Sequence, residues 1–382
     1  MSLFSSVLDA VYAAVGCCIP DANLSINGRA YRIVKLLGEG GFSFVYLVED
    51  GSGNLYAMKK IRCTLGTEEA EVAQREVEVY RLFDHEYIIR MLDTATITES
   101  DGSTTIYIFL PYYKRGNLQD AINRNQLYKR HFTESQMLHL FRGVCTAVEF
   151  MHDYKGANNT RTGYTTKNPI LDDEGGEHHQ SQQQQQSKPL LSSTSRQESS
   201  SAIETHAPGK EGEVVPWAHR DIKPGNVLVS DDGETPILMD FGSACRARIE
   251  IHNRQEALKQ QDLAAEHCTM PYRAPELFDV KTDTTLDEKV DIWSLGCTLY
   301  AMAYGLSPFE VNSDQGGSVA LAVLNAQYKF PTEGETANLY STEFKELISW
   351  MLTADPKTRP DIHQVIERTD ELLKRIPQEN AE

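Results

Sequence analysis

A chain of 382 residues can hold one two-lobed domain with additions, or two ordinary domains, and buries an ample core either way. Its formal net charge of −18, with no Lys/Arg run to offset it, argues against a nucleic-acid partner, whose phosphates it would repel. The seven cysteines, Cys17, Cys18, Cys63, Cys145, Cys245, Cys268 and Cys297, are odd in number and show no CxxC or His pairing at metal-ligand spacing, which suits free thiols in a reducing cytosol.

Residues 1–30 read as a leader that lacks the basic start of a secretory signal, and no apolar run in the chain is long enough to span a membrane. Within it Leu3, Phe4, Val7, Leu8, Val11, Tyr12 and Val15 share one helical face, and Cys17 and Cys18 follow at once. The pattern suits an interfacial helix beside two S-acylation sites that would hold the protein on a membrane surface. The alternative is a helix packed on the folded domain with two inert thiols, since no Lys or Arg assists binding to anionic lipid.

From Tyr31 the chain reads as short β-branched and aromatic runs around one helix: strands over Tyr31 to Leu37, Phe44 to Glu49 and Tyr56 to Ile61, a helix near Glu68 to Phe83, and strands near Met91 and Ile106. Beyond Pro111 helical spacing takes over, in Glu134 to His152, Val290 to Tyr304, Ser318 to Leu324, Thr342 to Leu352 and Ile362 to Ile376. The expected fold is α+β, with a mainly β lobe over 31–110 and a mainly α lobe over 111–376. Asp153 to about Pro216 is rich in Ser, Gln, Gly, Asn and Thr, with a glutamine run at Gln182 to Gln186, and is expected to be disordered. Loop-closure cost grows only logarithmically with length, so such an insert is tolerable at a surface turn whose two ends lie close together.

Several short motifs carry chemistry. Gly38, Glu39, Gly40, Gly41, Phe42 and Ser43, flanked by Leu37 and Val45, lie between two predicted strands, which excludes a dinucleotide-binding turn and suits a hairpin whose backbone N–H groups approach phosphates. Ser43 stands where a third glycine is usual. Ala57-Met58-Lys59 ends the third strand, and Glu76 follows on the helix, with Glu78 as a competing partner for the lysine. His219-Arg220-Asp221-Ile222-Lys223-Pro224-Gly225-Asn226 places a carboxylate, an ammonium and an amide on one loop, and Asp240-Phe241-Gly242 follows an apolar strand. Thr269 to Glu276 (TMPYRAPE), Asp291 to Gly296 (DIWSLG) and Arg359, placed to pair with Glu276, complete the series.

In this order the motifs resemble those of protein kinases. The finer resemblance, carried by LGEGGFSFVYLVED, AQREVEVYRLFDH, LPYYKRGNL, LMDFGSACRARIEI, CTMPYRAPELF and DIWSLGCTLYAM, is to the Numb-associated kinase family and its lipid-modified branch with fungal vacuolar members. The resemblance implies that Lys59, held by Glu76, contacts the α- and β-phosphates of ATP and that Asp221 orients and deprotonates the acceptor hydroxyl. Lys223, the variant of serine/threonine kinases, would contact the γ-phosphate and bond Thr269, while Asn226 and Asp240 bind Mg²⁺. It further implies Leu110 as the residue guarding the back of the ATP pocket, Pro111, Tyr112 and Tyr113 as the adenine-binding hinge, and Leu228 under the purine. Arg246 to Glu266 is long and helix-prone, and Leu277 to Leu286 leaves room for the extra helix that this family places after TMPYRAPE. Residue 2 is Ser rather than Gly, so the N-myristoylation of animal members is not expected. The resulting expectation is a serine/threonine kinase acting on protein substrates at the cytosolic face of endomembranes, vacuole or Golgi. A pseudokinase scaffold, or a trafficking adaptor whose insert recruits partners, is the alternative.

Overall fold

The computed structural model describes residues 23–40, 43–63, 67–99, 102–155, 213–310, 318–334 and 336–376. Six strands, β1 (Asn23–Ile26), β2 (Arg29–Glu39), β3 (Ser43–Asp50), β4 (Leu55–Cys63), β5 (Asp93–Thr98) and β6 (Thr104–Pro111), form one antiparallel sheet in the order β1-β2-β3-β4-β6-β5. Strand alternation divides its side chains between two cores. Along β6, Ile106, Ile108 and Leu110 join the core shared with helix α1 (Thr67–Leu82) and the second lobe, whereas Tyr107 and Phe109 pack with Ile26, Tyr31, Val48 and Met58.

β1 corrects the N-terminal boundary. Residues 23–30 belong to the sheet and not to the leader, because Asn27 and Gly28 both take positive φ (51° and 75°) and close a two-residue hairpin that buries Ile26. Residues 1–22, with Cys17 and Cys18, lie outside the described residues.

The second lobe is built on α2 (Leu118–Leu127), α3 (Glu134–His152), α4 (Arg254–His267), α5 (Lys289–Tyr304), α6 (Val319–Leu324), α7 (Thr342–Met351) and α8 (Ile362–Arg375). Asn117 and Thr133 start α2 and α3 with capping boxes. Two short strands, β8 (Val227–Val229) and β9 (Pro236–Leu238), pair; β9 lies against α3, where a Cβ on Gly143 would stand 2.6 Å from Pro236 Cγ, so only glycine permits that approach. Every residue of α5 from Val290 to Ala303 is buried, as expected of a helix at the centre of a lobe. Ile362, Val365, Ile366, Thr369 and Leu372 form the buried face of α8.

Two further expectations change. The stretch Leu277 to Leu286 is not helical: after a 3₁₀ turn at Pro275–Leu277 it leads into β12 (Thr284–Leu286), which pairs with β11 (Ile249–Ile251). Two β-branched threonines facing an Ile-Glu-Ile partner favour the ladder, whereas the helix-prone stretch Arg246 to Glu266 does hold a helix, α4, capped by Asn253. The stretch expected to be structureless, 153–216, is ordered at both ends. Tyr154 is buried with its ring edge-on to Phe83 at 5.5 Å, and the Val215 N–H donates to the Tyr154 carbonyl at 2.7 Å. The two ends therefore meet; residues 156–212 lie outside the described residues.

Replacing residues 157–212 by a short Gly/Ser linker should leave a cooperatively folding, active protein, because the ends are already hydrogen-bonded. Tyr154→Ala should instead cost about 3 kcal/mol in denaturant unfolding. An insoluble linker variant alongside a fully stable Tyr154→Ala would reverse this division.

Candidate active site

β7 (Trp217–Ala218), paired with β10 (Cys245–Arg246), delivers the chain to the His219-Arg220-Asp221 loop. The His219 and Arg220 backbone N–H groups each donate to the Asp291 carboxylate at 2.8 Å, and His152 Nε2 bonds the same group at 3.1 Å. Asp291 sits in the first turn of α5 and is fully buried. Burial alone would raise its pKa, but the bond and charge of His152, with further help from His219 and the Arg220 N–H, hold it below the ordinary value. These bonds fix Arg220 at φ 67°, a left-handed conformation that a non-glycine residue rarely adopts.

That strained turn presents Asp221 to three donors. Its Oδ1 accepts from the Thr269 N–H at 2.8 Å, and its Oδ2 accepts from Lys223 Nζ at 2.7 Å and Asn226 Nδ2 at 2.9 Å. Lys223 Nζ also donates to Thr269 Oγ1 at 2.6 Å, the link expected from the sequence. Met239 seals the loop from behind: its N–H donates to the Asn226 carbonyl at 2.9 Å, and its own carbonyl is bonded by His219 Nε2 at 3.1 Å. The Asp221 N–H donates to His219 Nδ1, so the imidazole proton resides on Nε2.

Lys59 joins the lobes. Its Nζ lies 2.6 Å from Glu76 Oε1 on α1 and 3.0 Å from Asp240 Oδ1, while Glu78, the competing partner, is exposed. Burial works against the Lys59 charge, but Asp240 and Glu76 outweigh it and hold the ammonium above its usual range. Lys59 in turn holds the Asp240 carboxyl below its ordinary value, whereas burial pushes Glu76 up. Phe241 is buried between Tyr80 and Phe83 of the α1 side, at 5.2 and 5.8 Å, and His219 at 5.3 Å. Asp240 thereby turns toward the cleft, again at φ 67°.

The remaining predicted residues line the space between the lobes. Val45 is paired with Lys59 and Ala57 with Leu110, which sets all four on the sheet face toward the second lobe. Gly38 pairs with Val45 just after the exposed Leu37, Glu39 is exposed, and the Gly40 N–H donates to the Ser43 carbonyl at 2.8 Å. Gly41 and Phe42 lie outside the described residues. Pro111, Tyr112 and Tyr113 connect β6 to α2, all half-buried. Leu228 is brought beside this connection by a backbone bridge between β8 and Asn117.

The donor set fits a small hard cation. Asn226 spends its amide N–H groups on Asp221, and no hydrogen bond from the described residues engages its Oδ1 or the Asp240 Oδ2. One amide and one carboxylate oxygen match Mg²⁺, which retains water and phosphate oxygens as its other ligands. His152 and Tyr80 support the site without having been anticipated. Each touches it only through the fold, and neither belongs to a local sequence pattern.

A family model for the protein kinase domain matches residues 31–156 and 215–369. The chain is 35% identical over 372 residues to serine/threonine-protein kinase ppk13 of Schizosaccharomyces pombe, covering 97% of this chain and 98% of the relative. It is 33% identical to serine/threonine-protein kinase ENV7 of Saccharomyces cerevisiae, covering 97% and 100%, and 33% identical to serine/threonine-protein kinase 16 of Homo sapiens, covering 94% and 96%. With its two-lobed fold and its assembled lysine, glutamate and aspartates, the chain belongs to the protein kinase family, among the serine/threonine-protein kinases.

Proposed function

We propose that this chain transfers the γ-phosphoryl group of ATP to serine or threonine hydroxyls of protein substrates, using Lys59, Glu76, Asp221, Lys223, Asn226 and Asp240. The observation that carries the reading is the simultaneous closure of two networks, Lys59 with Glu76 and Asp240, and Asp221 with Thr269, Lys223 and Asn226. Catalysis of this kind is mainly positioning and charge neutralisation. Mg²⁺, held by Asn226 and Asp240, would neutralise the phosphate oxygens. Lys59 places the α- and β-phosphates, Lys223 meets the γ-phosphate, and Asp221 aims the acceptor hydroxyl and takes up its proton. The cleft between the sheet and β8 takes the adenine beside Leu110, Pro111, Tyr112, Tyr113 and Leu228. A pseudokinase scaffold would have little use for so complete a set of charged groups.

We further propose that residues 1–22 attach the enzyme to the cytosolic face of an endomembrane through thioesters on Cys17 and Cys18. The apolar residues at helical spacing in the sequence next to the cysteines support this. No helix among the described residues is long and apolar enough to cross a membrane.

Asp221→Asn should lower phosphoryl transfer by ~10²-fold or more while ATP affinity stays within a few-fold, because the carboxylate acts on the acceptor and not on the nucleotide. Lys59→Met should abolish turnover as well. Radiolabel transfer to a protein acceptor measures both, and an Asp221→Asn enzyme with more than a tenth of wild-type turnover would contradict the assignment.

Replacing Cys17 and Cys18 together by Ser should move the protein from the membrane fraction to the cytosol with kinase activity unchanged. Each buried CH₂ of an acyl chain adds about 0.8 kcal/mol, so two chains decide stable attachment. A double variant that still sediments with membranes would place the anchor elsewhere.

A further inference from the structure

Kinase segments that cover the catalytic aspartate are commonly ordered by a phosphoryl group pairing with arginine. Here that route has no acceptor. Between Ala244 and Cys268 the chain contains no Ser, Thr or Tyr. The hydroxyls on either side are already engaged: Ser243 Oγ donates to the His219 carbonyl at 2.7 Å, Thr269 Oγ1 accepts from Lys223, and burial closes off Tyr272.

Arg220, next to Asp221, nevertheless carries a buried guanidinium with no carboxylate partner among the described residues. Its Nη1 donates to Gln260 Oε1 at 3.2 Å and to Cys245 Sγ at 3.4 Å, and its Nη2 is buried with no hydrogen-bond partner among the described residues. Gln260 is itself buried, on the α4 face it shares with Ala257 and Ala264. The small alanines allow the helix to lie close, and the amide at helical spacing between them reaches inward. α4 is fixed independently by its Asn253 cap and by Gln261 Nε2 donating to the Phe278 carbonyl at 2.8 Å. Arg220 and Gln260 themselves line a cavity with Arg75, Arg246 and Lys259, so an anion delivered from elsewhere is the competing complement, but the Arg220 Nη2 atom is buried.

We propose that Gln260 is a positioning residue whose neutral amide does permanently what a phosphoryl group does elsewhere: it fixes Arg220, and through the strained Arg220 backbone the placement of Asp221, so that the site stays assembled without modification of this segment. The proposal rests on the kinase reading above. It identifies α4 as a built-in lock, and not merely as a covering element.

The test is the single-turnover rate of phosphoryl transfer, with KM for ATP measured alongside, on the full-length protein. Gln260→Leu keeps size and burial but removes the acceptor, and should slow transfer ~10-fold with KM for ATP within ~2-fold. Gln260→Glu restores an acceptor and should return the rate to within ~3-fold of wild type. Adding Gln260→Leu to Arg220→Leu should cost nothing more than Arg220→Leu alone, as expected of residues acting as one unit. Phosphatase-treated wild type should keep its rate, and inorganic phosphate should not raise it. Equal rates for Gln260→Leu and wild type, equal losses in the Leu and Glu variants, or severalfold stimulation by phosphate would each overturn the lock. If Arg220→Leu proves unfolded by circular dichroism, the Leu and Glu variants at 260 decide alone. Wild type without turnover would instead overturn the kinase reading.

Discussion

One buried carboxylate sets the geometry on which the rest of the site depends. Asp291 has no exposed surface, and a buried charge persists only where hydrogen bonds and partner charges replace water. It finds them in two backbone N–H groups of the His219-Arg220 turn, in His152 and in its own place in the first turn of α5, where a helix favours negative charge. The turn therefore cannot relax from its left-handed conformation without orphaning the carboxylate, and Asp221 inherits that rigidity. Other residues of α5 extend the hold. Ser294 Oγ donates to the Tyr272 carbonyl at 2.8 Å and Trp293 stacks under Arg359, whose guanidinium makes a bidentate pair with Glu276 at 2.8 and 3.0 Å. The His219-Arg220-Asp221 loop and the end of the covering segment thus share one rigid support.

The first lobe shares an apolar core with the second, and at the cleft polar and aromatic contacts add to it. Lys59 bridges Glu76 on α1 and Asp240 after β9, while Phe241 fills the space between α1 and His219. A shift of α1 would break the ion pair and unpack the ring together, so the position of one helix and the aim of Asp240 are coupled. The geometry described has both in place, which is the arrangement phosphoryl transfer needs.

The placement of the site residues was legible in the sequence because kinase parts are local. Asp221, Lys223 and Asn226 share one loop, and the alternation of β3 and β4 announces where Lys59 points. Even the Arg359 to Glu276 pair follows from motif order. What escaped reading was long-range or weakly patterned. Asn27-Gly28 is a strong hairpin signal, yet the apolar character of Leu24 and Ile26 was assigned to a leader, because a four-residue strand has too little alternation to stand alone. α2 buries only Leu118 and Ile122, too few apolar positions to display a helical period. Tyr154 lay in a stretch of polar composition and owes its burial to Phe83, far away in sequence. Gln260 and His152 matter through partners no local pattern reveals, since an amide and an imidazole are unremarkable on a helix until the opposing arginine and aspartate are seen.

The claim that a buried carboxylate holds Asp221, the proposed catalytic base, in place can be tested most directly by the single-turnover rate of Asp291→Asn at saturating ATP. The substitution preserves volume but turns one acceptor into a donor facing backbone N–H groups. The account predicts a folded protein that binds ATP within a few-fold of wild type and transfers phosphoryl ~10²-fold more slowly, the expected result of misplacing a catalytic group. A transfer rate within threefold of wild type would show that the loop keeps its geometry without Asp291, and would contradict the account.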